Sequence, residues 1–273
     1  MIKNKNFLSI DKCYLFGSAS LKLSSLLYSS VITIFFIEHS ISYTQIGVIW
    51  SILLASQMIC DYPTGGLADE IGRLKVFMIG MVISGISNIV YLIGYNYIWI
   101  LYIGALLAGL GEAQISGTLL PWLITEYKKN NNYEKKYILK LISKNQIVTS
   151  SIGIALGMFI YFIKLEANIV LMISAIINII GGVLVFGLWV DNKSQFSYTY
   201  MSLHKKTVET FIKEKKLWIY TILLTCGYIN FSIYQFIWQP KISLFSGDKG
   251  VLTFVNSMAL LIVIMVSNLV KKN

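Results

Sequence analysis

Charge is scarce in this sequence, and so are the residues that most often carry catalytic or metal chemistry. Only 13% of its 273 residues are charged, about half the share of a soluble domain. The three cysteines, Cys13, Cys60 and Cys226, are scattered at spacings that fit neither a disulfide framework nor a metal site, so free thiols are expected. Two histidines, His39 and His204, lie far apart, and no Ser/His or metal constellation can be assembled around either. Neither G-x-G-x-x-G nor G-x-x-x-x-G-K-[ST] can be read from Gly65, Gly66 and Gly72, the densest glycine cluster in the first half. These absences argue against an enzyme, and no cofactor or metal is expected.

Apolar residues are abundant. They make up 56% of the chain, and the mean hydropathy is +0.67. Runs of about twenty residues, long enough to cross a bilayer, recur from end to end rather than forming one anchor. The sequence therefore predicts an all-α polytopic membrane protein with eight spans, near 14–37, 43–63, 75–95, 98–124, 139–162, 167–190, 217–238 and 250–269. The first run follows Lys3, Lys5 and Lys12 as a secretory signal would. It is too long for one and has no convincing cleavage site, so a retained span is expected.

The formal net charge of +10 would suit a nucleic-acid binder if the basic residues were clustered. They fall between spans instead, on alternate sides. With the N-terminus inside, the inner segments hold Lys3 and Lys5, then Arg73 and Lys75, then five lysines between Lys128 and Lys140, six between Lys193 and Lys216, and finally Lys271 and Lys272. Outer loops hold only Lys164, Lys241 and Lys249, which predicts cytoplasmic termini in a cytoplasmic membrane by the positive-inside rule. Outer connections are short, and the longest connection follows the sixth span. The expected units are a six-helix bundle over 1–190, a cytoplasmic loop over 191–216, and two further helices over 217–273. Such an organisation in halves is common in secondary transporters.

The loop between the second and third spans carries the most specific motif. In GGLADEIGRLK, the order of Gly65, Asp69, Gly72, Arg73 and Lys75 resembles the signature loop of the major facilitator superfamily. GLGEAQISGTLLPWLITEY, residues 109–127, resembles the fourth helix of a subgroup of that family, and IYQFIWQP, residues 233–240, the outer end of its seventh helix. Three departures accompany the resemblance. Glu70 stands where a basic residue is usual, and Ala105 stands where many members carry an arginine linked to proton coupling. Eight spans also stand against the usual twelve, which predicts a truncated or split transporter, or one that completes its path by pairing with a second copy or another chain.

Several residues are candidates for a solute or ion path. Glu112 sits near the middle of the fourth span among Gly109, Gly111, Ala113 and Ser116, too far from either interface to escape. It is either a proton or cation carrier or a neutral, hydrogen-bonded structural acid. Lys22 either faces a cavity, binding an anion or pairing with an acid, or snorkels toward the headgroups. Asp61, near the cytoplasmic end of the second span, caps a helix, gates or touches substrate. Asn145, Gln146, Gln235, Gln239 and Trp238 either reach a substrate across the two halves or make ordinary interhelical and interfacial contacts. Asp69 and Arg73, four apart, share a helix face if the third helix extends through them. The resemblance adds Glu126, and the three predict a cytoplasmic gate, against plain anchoring by Arg73. Arg73 is the only arginine in the sequence, and its planar fork suits a carboxylate better than lysine would.

The expected function is alternating-access movement of a small solute across the bilayer, coupled to a proton or cation, with efflux of drug-like, peptide or amphipathic compounds the leaning that the resemblance implies. The alternative is a non-transporting accessory or interaction module. Neither reading calls for nucleic acid as a partner.

Overall fold

The computed structural model describes residues 5–129, 134–188, 212–246 and 250–272. Among them there is no strand. The helices are α1 (Lys5–Glu38), α2 (Tyr43–Ile71), α3 (Arg73–Gly94), α4 (Ile98–Ile115), α5 (Leu119–Lys129), α6 (Lys135–Ile163), α7 (Ala167–Leu188), α8 (Lys215–Ser246) and α9 (Gly250–Lys272). Among the described residues, six stretches are long and apolar enough to cross a membrane: Ile10–Glu38, Tyr43–Asp61, Arg73–Gly94, Ile98–Lys129, Lys135–Ile163 and Ala167–Gly187. The predicted seventh and eighth spans fall on α8 and α9, whose described apolar stretches, Lys216–Gly227 and Met258–Asn268, are shorter. The predicted central loop lies almost wholly outside the described residues.

Local chemistry sets the helix ends. Ser42 caps α2 through a reciprocal box: its hydroxyl accepts from the Gln45 amide, and the Gln45 side chain accepts from the Ser42 amide. Lys164, in the left-handed conformation at φ 55°, closes α6 and leads tightly into α7. The glycine-rich passage is not the open loop that its composition suggests. Helix α2 continues through Gly65 and Gly66 to Ile71, and the only interruption before α3 is Gly72 at φ 108°. An L side chain rarely adopts that backbone, so this one glycine makes the turn. The fourth predicted span, conversely, is not continuous. It breaks between α4 and α5 at Ser116–Thr118, where Gly117 has φ 67°.

Helices pack in the order α2, α4, α3, α7, α1, and α1 also touches α6, α8 and α9 while α6 packs along α9. With little hydrophobic drive between helices in lipid, small residues that let backbones approach become the adhesive. A Cβ at Gly80 would come within 2.9 Å of the Gly111 carbonyl, and one at Gly85 within 2.9 Å of the Ala175 carbonyl. One apolar cluster, including Phe35, Phe36, Tyr91, Leu101 and Leu171, fills the bundle toward Glu38. A second, including Cys13, Leu74, Phe77, Trp122 and Val185, fills the opposite end. Between them runs a polar tie joining α1, α3 and α7. The Ser24 hydroxyl donates to Asn178 at 2.5 Å, Asn88 donates to Ser174 at 3.1 Å, and Ser174 donates to the Ser24 carbonyl at 2.9 Å. Apolar side chains such as Met58, Trp99 and Phe162, each more than 70% exposed, point outward as a lipid-facing surface requires.

Candidate functional site

The break in the fourth span brings together residues separated by about fifty positions. At Ser116 the backbone turns extended, and its hydroxyl, within 3.2 Å of the Ala113 carbonyl of its own helix, donates to the Asp61 carboxylate at 2.5 Å. One turn further along α2, Thr64 donates to the Ala113 carbonyl at 3.1 Å. Serine 56 donates across the same interface to the Leu106 carbonyl at 3.3 Å. Helix α2 is thus stitched along α4 by hydroxyls, and Asp61 sits inside α2, ten residues before its end, rather than capping it.

Glu112 lies one turn before Ser116 on α4. It is half-buried, and its carboxyl makes no hydrogen bond or ion pair with any described residue. It is within electrostatic reach of Asp61 and of Tyr28 on α1. Tyr28 in turn stands beside Tyr91 of α3, whose hydroxyl is buried near Ser87 without a well-formed hydrogen bond. Asp61, Glu112, Tyr28 and Tyr91 are therefore successive electrostatic neighbours across α2, α4, α1 and α3. Both acids and the carbonyl end of α4 contribute negative potential, and none of the described ion pairs neutralises it. Such a site favours a proton or another cation.

The other candidates separate into groups. Lys22 is half-buried on α1 with no ion-pair partner among the described residues. Arg73 grips one oxygen of Asp69 through Nε at 3.2 Å and Nη2 at 2.9 Å. These two do not share one helix, because Gly72 separates the end of α2 from the start of α3, but the pair forms across that turn. Glu126 is buried and takes its cation from its own helix, Lys129 at 2.9 Å. Lys75 is exposed.

In the second half, Trp238 is buried against Ile34, Ile37, Ile242 and Val255, with Tyr234 stacked on it at 6.2 Å. Gln146 accepts from Ser267 of α9 at 2.9 Å, an ordinary interhelical bond. Asn145 is buried with its amide nitrogen unpaired. Gln235 lies outside the residues whose side chains are described.

Three groups were missed by sequence reasoning. Tyr28 and Tyr91 are unremarkable in sequence among 17 tyrosines. Ser116 carried a signal, the neighbouring Gly117, that the helix breaks beside it. Asp11 of α1 accepts from Tyr127 of α5 at 2.6 Å and from Tyr137 of α6 at 2.7 Å. Nothing local in the sequence pairs those three.

The Major Facilitator Superfamily profile matches residues 14–272, nearly the whole chain. Among curated proteins, the quinolone resistance protein NorA of Staphylococcus aureus, in strains Mu50, N315 and MW2, is 23% identical over 126 residues. That stretch is 45% of this chain and 32% of each relative, so the match spans about a third of the length of the curated relatives. No solved structure matches the chain. The near-complete profile match, together with the Asp69–Arg73 turn and the apolar helices, places this multi-pass membrane protein in the major facilitator superfamily.

Proposed function

We propose that the chain serves secondary transport, moving a small solute by alternating access with a proton or cation bound at Glu112. The observation that carries this reading is an acid without an ion-pair partner, within the membrane-crossing stretch and beside a second carboxylate at a helix break. A structural acid would be expected to find a donor among the described residues, and Glu112 finds none. Protonation or cation binding would relieve the repulsion from Asp61, and release would restore it, which gives the α1, α2 and α4 junction two charge states to choose between.

Drug-like or amphipathic solutes are the favoured class, and efflux the favoured direction. The similarity to a relative named for quinolone resistance supports this, as does the scarcity of charge within the spans. The lysine distribution supports a cytoplasmic membrane and cytoplasmic termini. The Asp69–Arg73 pair, with Glu126 on the neighbouring α5, acts as a latch at the cytoplasmic end that opens during transport.

The test is flux in proteoliposomes containing the full chain, using a fluorescent amphipathic cation under an imposed pH gradient, with Glu112→Gln alongside. Gradient-dependent flux by the wild type, abolished in the variant, is expected. Background flux by a correctly inserted wild type would instead favour the accessory-module reading.

A further inference from the structure

Gln239 uses its side chain in an unusual place. It lies in α8 beside Pro240, is only 1% exposed, and inserts its carboxamide against the backbone of α1. Its Oε1 accepts from the Thr33 amide at 3.1 Å and from the Ile34 amide at 3.4 Å, while its Nε2 donates to the Ser29 carbonyl. Ser29 and Thr33 are an i, i+4 pair. A helix would normally join that carbonyl to that amide itself, so Gln239 offers the same two groups an outside partner.

Thr33 carries a second sign of the competition. A helical threonine commonly donates its hydroxyl back to the i−4 carbonyl. Thr125, Thr149, Thr221 and Thr225 all do so, at 2.8 to 2.9 Å. The Thr33 hydroxyl is buried with no partner at all. Its i−4 carbonyl is that of Ser29, already occupied by Gln239. The Gln239 amide thus stands at the carbonyl to which the Thr33 hydroxyl would otherwise donate.

We infer that Gln239 and Thr33 compete for the Ser29 carbonyl, and that the exchange is a two-state clasp between α1 and the second half of the chain. Clasped, Gln239 holds α1, and Trp238 packs on Ile34 beside it. Released, α1 keeps its own helical bonds and the Thr33 hydroxyl takes the place of the Gln239 amide at the Ser29 carbonyl, so parting the helices strands neither group of α1 in a medium without water. The clasp itself stands on geometry alone; its opening during solute movement rests on the transport reading.

The competition predicts two variants of opposite sign. Gln239→Met keeps length and apolar bulk but removes all three bonds. Thr33→Val keeps shape but removes the competing hydroxyl, which is unmet only in the clasped state. The assay is the yield of a short bifunctional cross-link between Ile34→Cys and Trp238→Cys. It uses the full chain in nanodiscs, with Cys13, Cys60 and Cys226 replaced by serine.

Gln239→Met should lower the clasped-to-released ratio at least about tenfold, the scale of a few interhelical bonds in a membrane. Thr33→Val should raise it about as much. Gln239→Glu, which keeps an acceptor and loses the donor, should fall between Met and wild type. Unchanged cross-linking in Gln239→Met and Glu, or a Thr33→Val that loosens the contact, would overturn the clasp. A clasp that responds as predicted in a chain without flux would uphold the competition and remove transport as its purpose.

Discussion

Replacing Gly109 by alanine should destabilise the α2–α4 contact in spite of the better helix propensity of alanine. A Cβ built at Gly109 meets the Leu53 carbonyl, the Ser56 hydroxyl and the Gln57 amide nitrogen, all closer than 3.0 Å. The serine can rotate, but the other two atoms are backbone of α2, so the helix as a whole must retreat. Overpacking of this kind costs about 1–3 kcal/mol, and alanine recovers about 1 kcal/mol of propensity. At Gly47 in α2, by contrast, nothing lies within 4 Å of the new atom, so Gly47→Ala should be neutral or stabilising by up to about 1 kcal/mol. Thermal unfolding of both variants in the same detergent measures the difference directly, with wild type between them. The retreat of α2 should also loosen the Ser116–Asp61 bond, visible as lower flux from protein that is still folded. A Gly109→Ala protein that melts at or above Gly47→Ala would refute the close approach on which the site geometry depends.

Three further changes probe other joints. Gly117→Ala should cost about 1–2 kcal/mol from its backbone conformation at φ 67° alone, since no atom obstructs the Cβ; Gly117→Asn, tolerant of that region, should lose less in the same melt. Tyr127→Phe should cost about 1.5–3 kcal/mol, the scale of a hydrogen bond to a charged group, because it is buried when it donates to Asp11. Tyr137→Phe should cost less, its ring being exposed, and equal losses in parallel melts would contradict that ranking. Arg73→Lys should change stability by less than about 1 kcal/mol, as a part-exposed pair does, yet slow flux if Asp69–Arg73 is a latch. A stably inserted lysine variant with normal flux would remove the latch.

The membrane-crossing chemistry was plain in the sequence because hydropathy over twenty residues is a one-dimensional property, and six of the eight expected spans fall on stretches long and apolar enough among the described residues. The motif order from Gly65 to Lys75 was equally legible, and it pointed to the family that the whole-chain profile match supports. The shape of that motif was not. Glycines suggested a loop across 64–74, but the flanking residues tolerate a helix and only Gly72 takes a backbone that breaks one.

The continuous fourth span was likewise inferred from hydropathy, which does not register one left-handed glycine. Asp61 and Glu112 could be named singly from their depth, whereas their common neighbourhood depends on how α2 leans on α4. That lean is set by Gly109 and its contacts, which no local pattern encodes. Gln239 shows the same limit. Its amide could be recognised as an interhelical bonder, but not that it would bond backbone rather than substrate, because its partner lies some two hundred residues away.

The central claim is that Glu112 carries a transported charge. Reconstituted protein, loaded with a pH-sensitive dye and challenged with an amphipathic cation, measures solute and proton movement together. Solute entry coupled to proton release in the wild type, with both lost in an equally inserted Glu112→Gln, is the predicted result. Coupled movement that persists undiminished in Glu112→Gln would contradict it.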